Sequence, residues 1–558
     1  MAEKEPHLVA SRQDLGTESA MEKDVTTASD SEQQQQQDAK PLHYLEGARL
    51  HAVTVGLALG LFLVNFEITI VSTALVSITS ELQEFKRSSW IITAYLLTYV
   101  AGLVTWAKLS DILGRKTTSI SALFIFAAFS GGCGASQTLV QLAICRAFQG
   151  IGGSGIYAVN MVMMYELVPP PKYPLYTAMI TVVVALSFSL GPIFGGLITS
   201  GGGSSTWRWV FLLNVPAGVL AASILFMAVP AEFPYQVSTE LVEQKRKTIK
   251  WSSIDFTGAF LMLAALALLI TGLEEAASHL DWNQSTVLGT LIASGLTWMA
   301  FFGYQWWIGR PGSGIEPVFP WRFCQSRVIA GLLLTSFMTG AVSITCIFQL
   351  PLRYQTSAGL DPLQAGLRLI PFSVCGPLGT IVCAVFSKNR RVPPIYMALV
   401  GGVMQIVGLV FLSRGDPHEP DWHGLYGLEV VIGLGFGLCL GAATLLVPYV
   451  VEKRDLAIGA AAPVQLRFLG SATVISIVTA VGNSWLRDSL SQSLQPTQIQ
   501  AIFQSSAAIG KLPLELETIV RARFVESFNL QMRIVIGFAV AGVLTVLLMW
   551  QKPQVKVA

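Results

Sequence analysis

Charge is what this sequence has least of. Asp, Glu, Lys and Arg make up 13% of its 558 residues, whereas 52% are hydrophobic. An ordinary soluble domain carries roughly 25% charged residues, so a water-soluble globular fold is excluded and a membrane protein is implied. The formal net charge is only +2, which leaves no global basic field for nucleic acid. No signal-peptide pattern precedes the first hydrophobic run, so that run serves as its own signal. The seven cysteines (133, 145, 324, 346, 375, 383 and 439) sit mostly inside apolar runs without CxxC spacing. They read as buried small hydrophobes, not as metal ligands or disulfides, and no cofactor is expected. A phosphate-binding Gly-x-x-x-x-Gly-Lys-Ser/Thr motif is missing, so direct ATP drive has no support and an enzyme is the least supported class.

What is present is a recurrence of apolar windows, each about twenty residues long and able to cross about 30 Å of hydrocarbon as helix. Fourteen spans are expected: 50–74, 89–109, 117–136, 138–163, 174–198, 209–229, 254–273, 286–308, 328–351, 364–386, 393–413, 427–448, 463–485 and 532–550. Ahead of them, residues 1–47 hold ten acids against four Lys or Arg and the run Gln33 to Gln37, the composition of a disordered tail. With that tail in the cytosol, seventeen Lys and Arg fall in inner segments, and the short outer loops receive only Lys86, Arg87, Arg208, Arg353 and Arg414. The positive-inside rule is satisfied and both termini are expected in the cytosol. The one glycosylation sequon, at Asn283, falls in an outer loop under the same topology. The last outer loop, about 486–531, is long and mixed; Leu514 to Phe528 reads either as a short surface helix or as solvated loop.

Four polar motifs interrupt the apolar pattern. Between spans two and three stands Ala107-Lys108-Leu109-Ser110-Asp111-Ile112-Leu113-Gly114-Arg115-Lys116. Asp111 and Arg115 are four apart, the spacing of a helix-end ion pair, and Gly114 permits a tight turn. Span four carries Arg146, whose insertion into hydrocarbon costs at least about 2.5 kcal/mol, so it must face a cavity or an acid. In span five, Gly191 and Gly195 share a face that lets another helix approach, while Pro192 frees a carbonyl and bends the axis. Span one carries Glu67 well inside its apolar run, where desolvation penalises the charged form; that suits a group which takes up and gives back a proton.

These motifs resemble those of the major facilitator superfamily. Its loop pattern Gly-x-Leu-x-Asp-x-x-Gly-Arg-Arg/Lys is matched by Leu109, Asp111, Gly114, Arg115 and Lys116, with Ala107 departing from it. The resemblance implies a cytosolic latch there. Its pattern Arg-x-x-Gln-Gly-x-Gly is met by Arg146, Gln149, Gly150 and Gly152, and implies that Arg146 takes part in proton coupling. The antiporter signature Gly-x-x-x-Gly-Pro-x-x-Gly-Gly is met by Gly191, Pro192, Gly195 and Gly196, with Ser187 at the first glycine. Residues 65–75 are similar to the fourteen-helix drug:proton antiporter pattern Leu-Asp-x-Thr-Ile-Val-x-Thr-Ala-x-Pro, with Phe66 at the leucine, Glu67 at the aspartate and Val76 at the proline. Trp207-Arg208-Trp209, Asn214, Gln355 and Arg368 look like further features of that branch, the two tryptophans equally suiting an interfacial belt.

The resemblance implies an all-α polytopic fold of two six-helix bundles with two inserted central helices. The expected division is a cytosolic tail 1–47, a first bundle 48–230, a linker with spans seven and eight at 231–326, and a second bundle 327–558. It implies proton-coupled efflux of amphiphilic drugs, toxins or secondary metabolites by alternating access, as a monomer in the plasma membrane, with substrate at the midplane between bundles. Asn65, Asn160, Gln349 and Gln405 are the polar candidates for that cavity. Two alternatives stay open: a vacuolar or plasma-membrane carrier of a polar solute such as basic amino acids or an iron chelate, and a non-transporting sensor on the same scaffold.

Overall fold

A computed structural model describes residues 44–169, 172–200, 206–230, 233, 255–279, 284–310, 315, 317–389, 391–417, 422–451, 456–504 and 506–554. The N-terminal tail through residue 43, the basic stretch 245–250 and the Asn283 sequon lie outside them. Among the described residues all regular structure is helical. The first group comprises α1 (Gly47–Leu82), α2 (Ser89–Leu113), α3 (Arg115–Ala135), α4 (Leu139–Glu166), α5 (Tyr173–Thr199), the single turn α6 (Arg208–Leu212) and α7 (Asn214–Ala228). Then come α8 (Phe256–His279), α9 (Ser285–Ile308) and the short α10 (Arg322–Gln325). The last group is α11 (Arg327–Thr356), α12 (Pro362–Arg368), α13 (Ile370–Asn389), α14 (Pro394–Leu412), α15 (Leu425–Val450), α16 (Leu456–Leu490), α17 (Pro496–Gln504) and α18 (Leu514–Leu548).

Thirteen of the described helical stretches are long and apolar enough to span a membrane, counting α6 with α7 and α12 with α13 as single spans. The remaining expected span corresponds to α4, which at 28 residues has the length. Its apolar character is diluted by Arg146, Gln149, Asn160 and the glycines at 150, 152, 153 and 155. Helix starts follow side-chain capping where the chain arrives extended: Thr138 accepts from Gln141 N, and Asp361 accepts from Gln364 N ahead of Pro362.

Helices α1 to α7 pack together, and α11 to α18 form a second group in which α15 packs on α13 and α14, and α11 on α16 and α18. The groups meet through α2 with α16, α5 with α12 and α13, and α1 with α11. The α8–α9 pair packs against both α2 and α16, so the inserted helices bridge the seam. Lipid-facing surfaces are apolar, as Phe124, Phe226, Phe260 and Trp307 illustrate.

Three expectations need correction. The mixed segment about 486–531 is neither a solvated loop nor a separate surface helix: α16 runs to Leu490, α17 follows, and α18 is continuous from Leu514 to Leu548. Leu486, Leu490, Ile499, Ile502 and Val520 bury one another with Phe85 in a cluster of their own, so this end of the molecule carries a packed cap. Arg353 is not in a loop, because α11 continues past it to Thr356 and leaves it 2% exposed. Trp207 is not part of an interfacial belt; it is fully buried and donates to Glu81 Oε2 at 2.7 Å, while Trp209 is exposed.

The α8–α9 pair is fixed at one end by Asp255, 1% exposed, which accepts from Gly258 N (2.6 Å), Gln305 Nε2 (2.7 Å) and Val318 N (3.1 Å). Removing that carboxylate leaves buried donors unpaired at about 1–3 kcal/mol each. Asp255→Ala is therefore expected to lower the thermal unfolding midpoint of the purified protein in detergent by several degrees, and an unchanged midpoint would show that this tie contributes nothing.

Candidate functional site

Helix α4 owes its place in the first bundle to its small residues. A side chain at Gly150 would strike Tyr95 O and Thr98 Oγ1 on α2, and one at Gly152 would strike the Phe126 backbone on α3. With the helices this close, Arg146 is carried into the bundle at 2% exposure. Its Nη1 pairs with Glu67 Oε1 on α1 and donates to Gln149 Oε1 at 2.8 Å; its Nε donates to Ile91 O at 2.9 Å. The guanidinium lies 4.4 Å from the centre of the Tyr95 ring. Glu67, with no exposed surface, accepts on Oε2 from Asn214 Nδ2 at the start of α7. Gln149 is held in turn by donating to Ser130 Oγ at 2.8 Å. The acid and base that the sequence offered separately are thus one buried, hydrogen-bonded pair.

Charges in such a place are tolerated only when both are partnered, since desolvation of each ion costs several kcal/mol. The arginine keeps its proton under all ordinary conditions, whereas the carboxylate can exist neutral. The Cys133 thiol donates weakly to Gln149 Oε1 at 3.7 Å, and among the described residues no His, Cys, Asp and Glu cluster could hold a metal ion. What the site can do is bind and release a proton at Glu67 and change the partnership of Arg146.

The span-five motif sits beside this pair. Thr69 Oγ1 donates to Ser187 O (3.1 Å) and Thr73 Oγ1 to Pro192 O (2.9 Å), so α1 two and six residues past Glu67 is tied to α5. Gly191 and Gly195 make the approach possible, because a Cβ on either would meet Thr69, Ile70 or Thr73. Gly196 faces the other way, onto Pro362 and Leu363, and Pro192 O lies against Gly366. One helix therefore touches the buried pair's helix on one side and the second bundle on the other.

At the opposite end of α2, Gly114 has φ +91° and separates α2 from α3. Asp111 and Arg115 therefore stand on different helices; Arg115 pairs with Glu166 at the end of α4 (Nη2–Oε1 2.8 Å, Nε–Oε2 3.0 Å) and donates to Ser110 Oγ, and the expected Asp111–Arg115 pair falls on a side chain outside the described residues. Leu109 packs against the core, Lys116 lies 5.0 Å from the Phe226 ring centre, and Lys108 Nζ reaches Pro317 O at 3.3 Å, in the segment after α9.

The cavity candidates separate. Asn160 joins α4 to its neighbours, accepting from Ser119 Oγ (2.8 Å) and donating to Leu57 O (3.2 Å), and Asn65 Nδ2 caps Leu61 O on its own helix. Neither borders the cavities described below. Gln405 donates toward Cys439 Sγ and borders only a small void. Of the four, Gln349 lines a cavity open to solvent that lies between the bundles at the end away from Gly114. Ser88 and Ile92 border it, one turn of α2 that also presents Ile91 O to Arg146. Asn214, Tyr95 and Arg353 were not singled out as site residues; for Asn214 the signal was its place after the Trp-Arg-Trp motif, whereas a lone Arg353 near the end of an apolar run carries none.

This is the geometry of a polytopic carrier. The sequence pattern that defines the Major Facilitator Superfamily matches residues 57–474, and the chain belongs to that superfamily. It is 37% identical over 509 residues to the MFS-type transporter FPY5 of Fusarium mangiferae, covering 91% of this chain and 85% of that protein. It is 28% identical over 522 residues to the efflux pump dotC of Dothistroma septosporum (92% and 85% covered), and 28% over 389 residues to multidrug resistance protein 3 of Bacillus subtilis (70% and 71%). Among solved structures, a bacterial homolog of the human lysosomal transporter Spinster, inward-facing and unoccupied, aligns with TM-score 0.63 at 14% identity, over 91% of this chain and all of that one. A D-xylose–proton symporter aligns with TM-score 0.54, also at 14% identity, over 83% and 97%. Likeness at these identities establishes the fold alone.

The buried pair can be tested by itself. In a double-mutant cycle on unfolding in detergent, Glu67→Gln and Arg146→Gln should show coupling of about 1–3 kcal/mol; strictly additive losses would mean that the two side chains do not stabilise one another.

Proposed function

We propose that the chain exports amphiphilic small molecules in exchange for protons, with Glu67 as the proton carrier. The observation that carries this reading is the buried Glu67–Arg146 pair, placed on a helix that Thr69 and Thr73 tie to α5, which in turn contacts α12 across the seam between the bundles. Protonation of Glu67 removes the only ionic partner described for Arg146 and leaves it with neutral ones. The balance between α1 and α4 changes, and the change is delivered through α5 to the contact at Gly196 and Pro362. Names given to relatives, an efflux pump and a multidrug resistance protein, support the outward direction.

In this reading the chain sits in the plasma membrane with both termini and the Gly114 end in the cytosol, and the cavity at Gln349 opens outward. The bundles correspond to 48–230 and 327–558, with 231–326 bridging them. Leu109, Asp111, Gly114, Arg115 and Lys116 then belong to the cytosolic gate. Inward movement of one positive charge through 100 mV releases about 2.3 kcal/mol, enough for roughly fifty-fold accumulation of cargo outside.

Cells expressing Glu67→Gln are expected to lose efflux that a proton uncoupler abolishes in the native protein, while surface expression persists. Undiminished, uncoupler-sensitive efflux by that variant would remove Glu67 from the mechanism.

A further inference from the structure

Two arginines are buried in this molecule's bundles to the same extent and treated in opposite ways. Arg146 and Arg353 are each 2% exposed. The first has an acid, an amide and a carbonyl. Arg353 has none of these: its Nε, Nη1 and Nη2 find no hydrogen-bond partner among the described residues, and the guanidinium lies against Gly415 and 4.8 Å from the centre of the Phe528 ring. The nearby Glu429, on α15, accepts from the Tyr354 hydroxyl at 2.7 Å on Oε1, its buried Oε2 has no hydrogen-bond partner among the described residues, and no hydrogen bond joins it to Arg353. A second cation, Arg368, lies over the Tyr354 ring at 5.7 Å.

A buried guanidinium without acceptors is costly and rare in proteins, and a site built this way discriminates strongly for a ligand that supplies them. Arg353 lines the cavity at the seam. Most of the rest of that lining is apolar, with Phe85, Phe348, Ile475 and Phe524 among it, while Gln349 and Asn483 add amides. Gln531, also on the lining and 8% exposed, has an Oε1 without a partner, an acceptor for a hydroxyl. The cavity joins an apolar wall of Phe and Ile side chains to amides, hydroxyls and one guanidinium that has no hydrogen-bond acceptor among the described residues.

We infer that this cavity binds amphiphilic acids, holding the carboxylate or an equivalent anion of the cargo on Arg353 and its apolar body among the aromatic residues. The inference rests on the export reading and narrows it, from amphiphiles in general to those carrying a negative charge. Gln355, two residues on, donates to Thr73 O at 3.2 Å. An anion drawn onto Arg353 thus acts on the turn of α11 that touches α1 six residues beyond Glu67.

Equilibrium binding to the purified full chain in an uncharged detergent at neutral pH tests it, with dansyl-labelled undecanoic acid and its methyl ester as probes. The native protein should prefer the acid by about tenfold, the worth of one charge-assisted contact. Arg353→Gln should bring the acid down to the affinity of the ester and leave ester binding unchanged, which also reports an intact fold; Arg353→Lys should keep most of the preference. Equal affinities in the native protein, a preference that survives Arg353→Gln, or loss of both probes in that variant would each overturn the inference, the last by reducing Arg353 to a structural role. Displacement of the acid by phosphatidylglycerol but not by phosphatidylcholine would also overturn it, since the occupant would then be a lipid headgroup and not cargo. No gradient is present in this experiment, so a failure of proton-driven export would leave the acid preference standing, and the reverse holds equally.

Discussion

A positive charge that cannot be discarded is the constraint around which the first bundle is organised. Arg146 enters the bundle because Gly150 and Gly152 let α4 lie against α2 and α3. Once there it needs an anion, and α1 supplies Glu67. Replacing a buried ion pair by apolar residues is often neutral or stabilising, so retention of the pair is poor evidence for stability and better evidence for a switch. In the proposed exchange the asymmetry between its members would give such a switch its sense: the arginine stays charged, and the glutamate need not.

Switching one carboxylate matters to a carrier only if the change reaches the seam between the bundles. The route visible here is short. Thr69 and Thr73 lie within two turns of Glu67 on the same helix and hydrogen-bond to carbonyls of α5, whose glycine face admits them. The other side of α5 rests on the start of α12 with no side chain between at Gly196. A shift of α1 cannot be absorbed by rearranging side chains in such contacts, because backbone lies against backbone. At the other end of the molecule, α8 packs on both α2 and α16, and Lys108 reaches Pro317 O beyond α9, so the inserted helices are placed to respond to the same motion.

The helices themselves were largely legible in the sequence, because a span is a one-dimensional pattern of apolar residues about twenty long. Glu67, Arg146 and the glycine helix were each legible as exceptions to that pattern. Their meeting was legible only as an option, since a buried arginine needs an acid and Glu67 is one candidate; the two are 79 residues apart, and neither local sequence fixes the pairing. In the gate motif Gly114 ends the helix between Asp111 and Arg115, and Arg115 reaches Glu166, a partner that four-residue spacing could not name. Arg353 misled for a different reason. A charge after an apolar run reads as a loop boundary, yet α11 carries it onward, and the cap formed by α17 with the ends of α16 and α18 closes over that end.

Proton exchange is the central claim, and reconstitution measures it without the cell. In proteoliposomes of the purified chain, with a pH gradient as the only energy source, transport of a fluorescent amphiphile and lumenal pH would be followed together. The account predicts that cargo moves against its own gradient toward the acidic side and that the pH gradient decays faster when cargo is present. Cargo that merely equilibrates, at a rate indifferent to the pH gradient and with no effect on its decay, would contradict it.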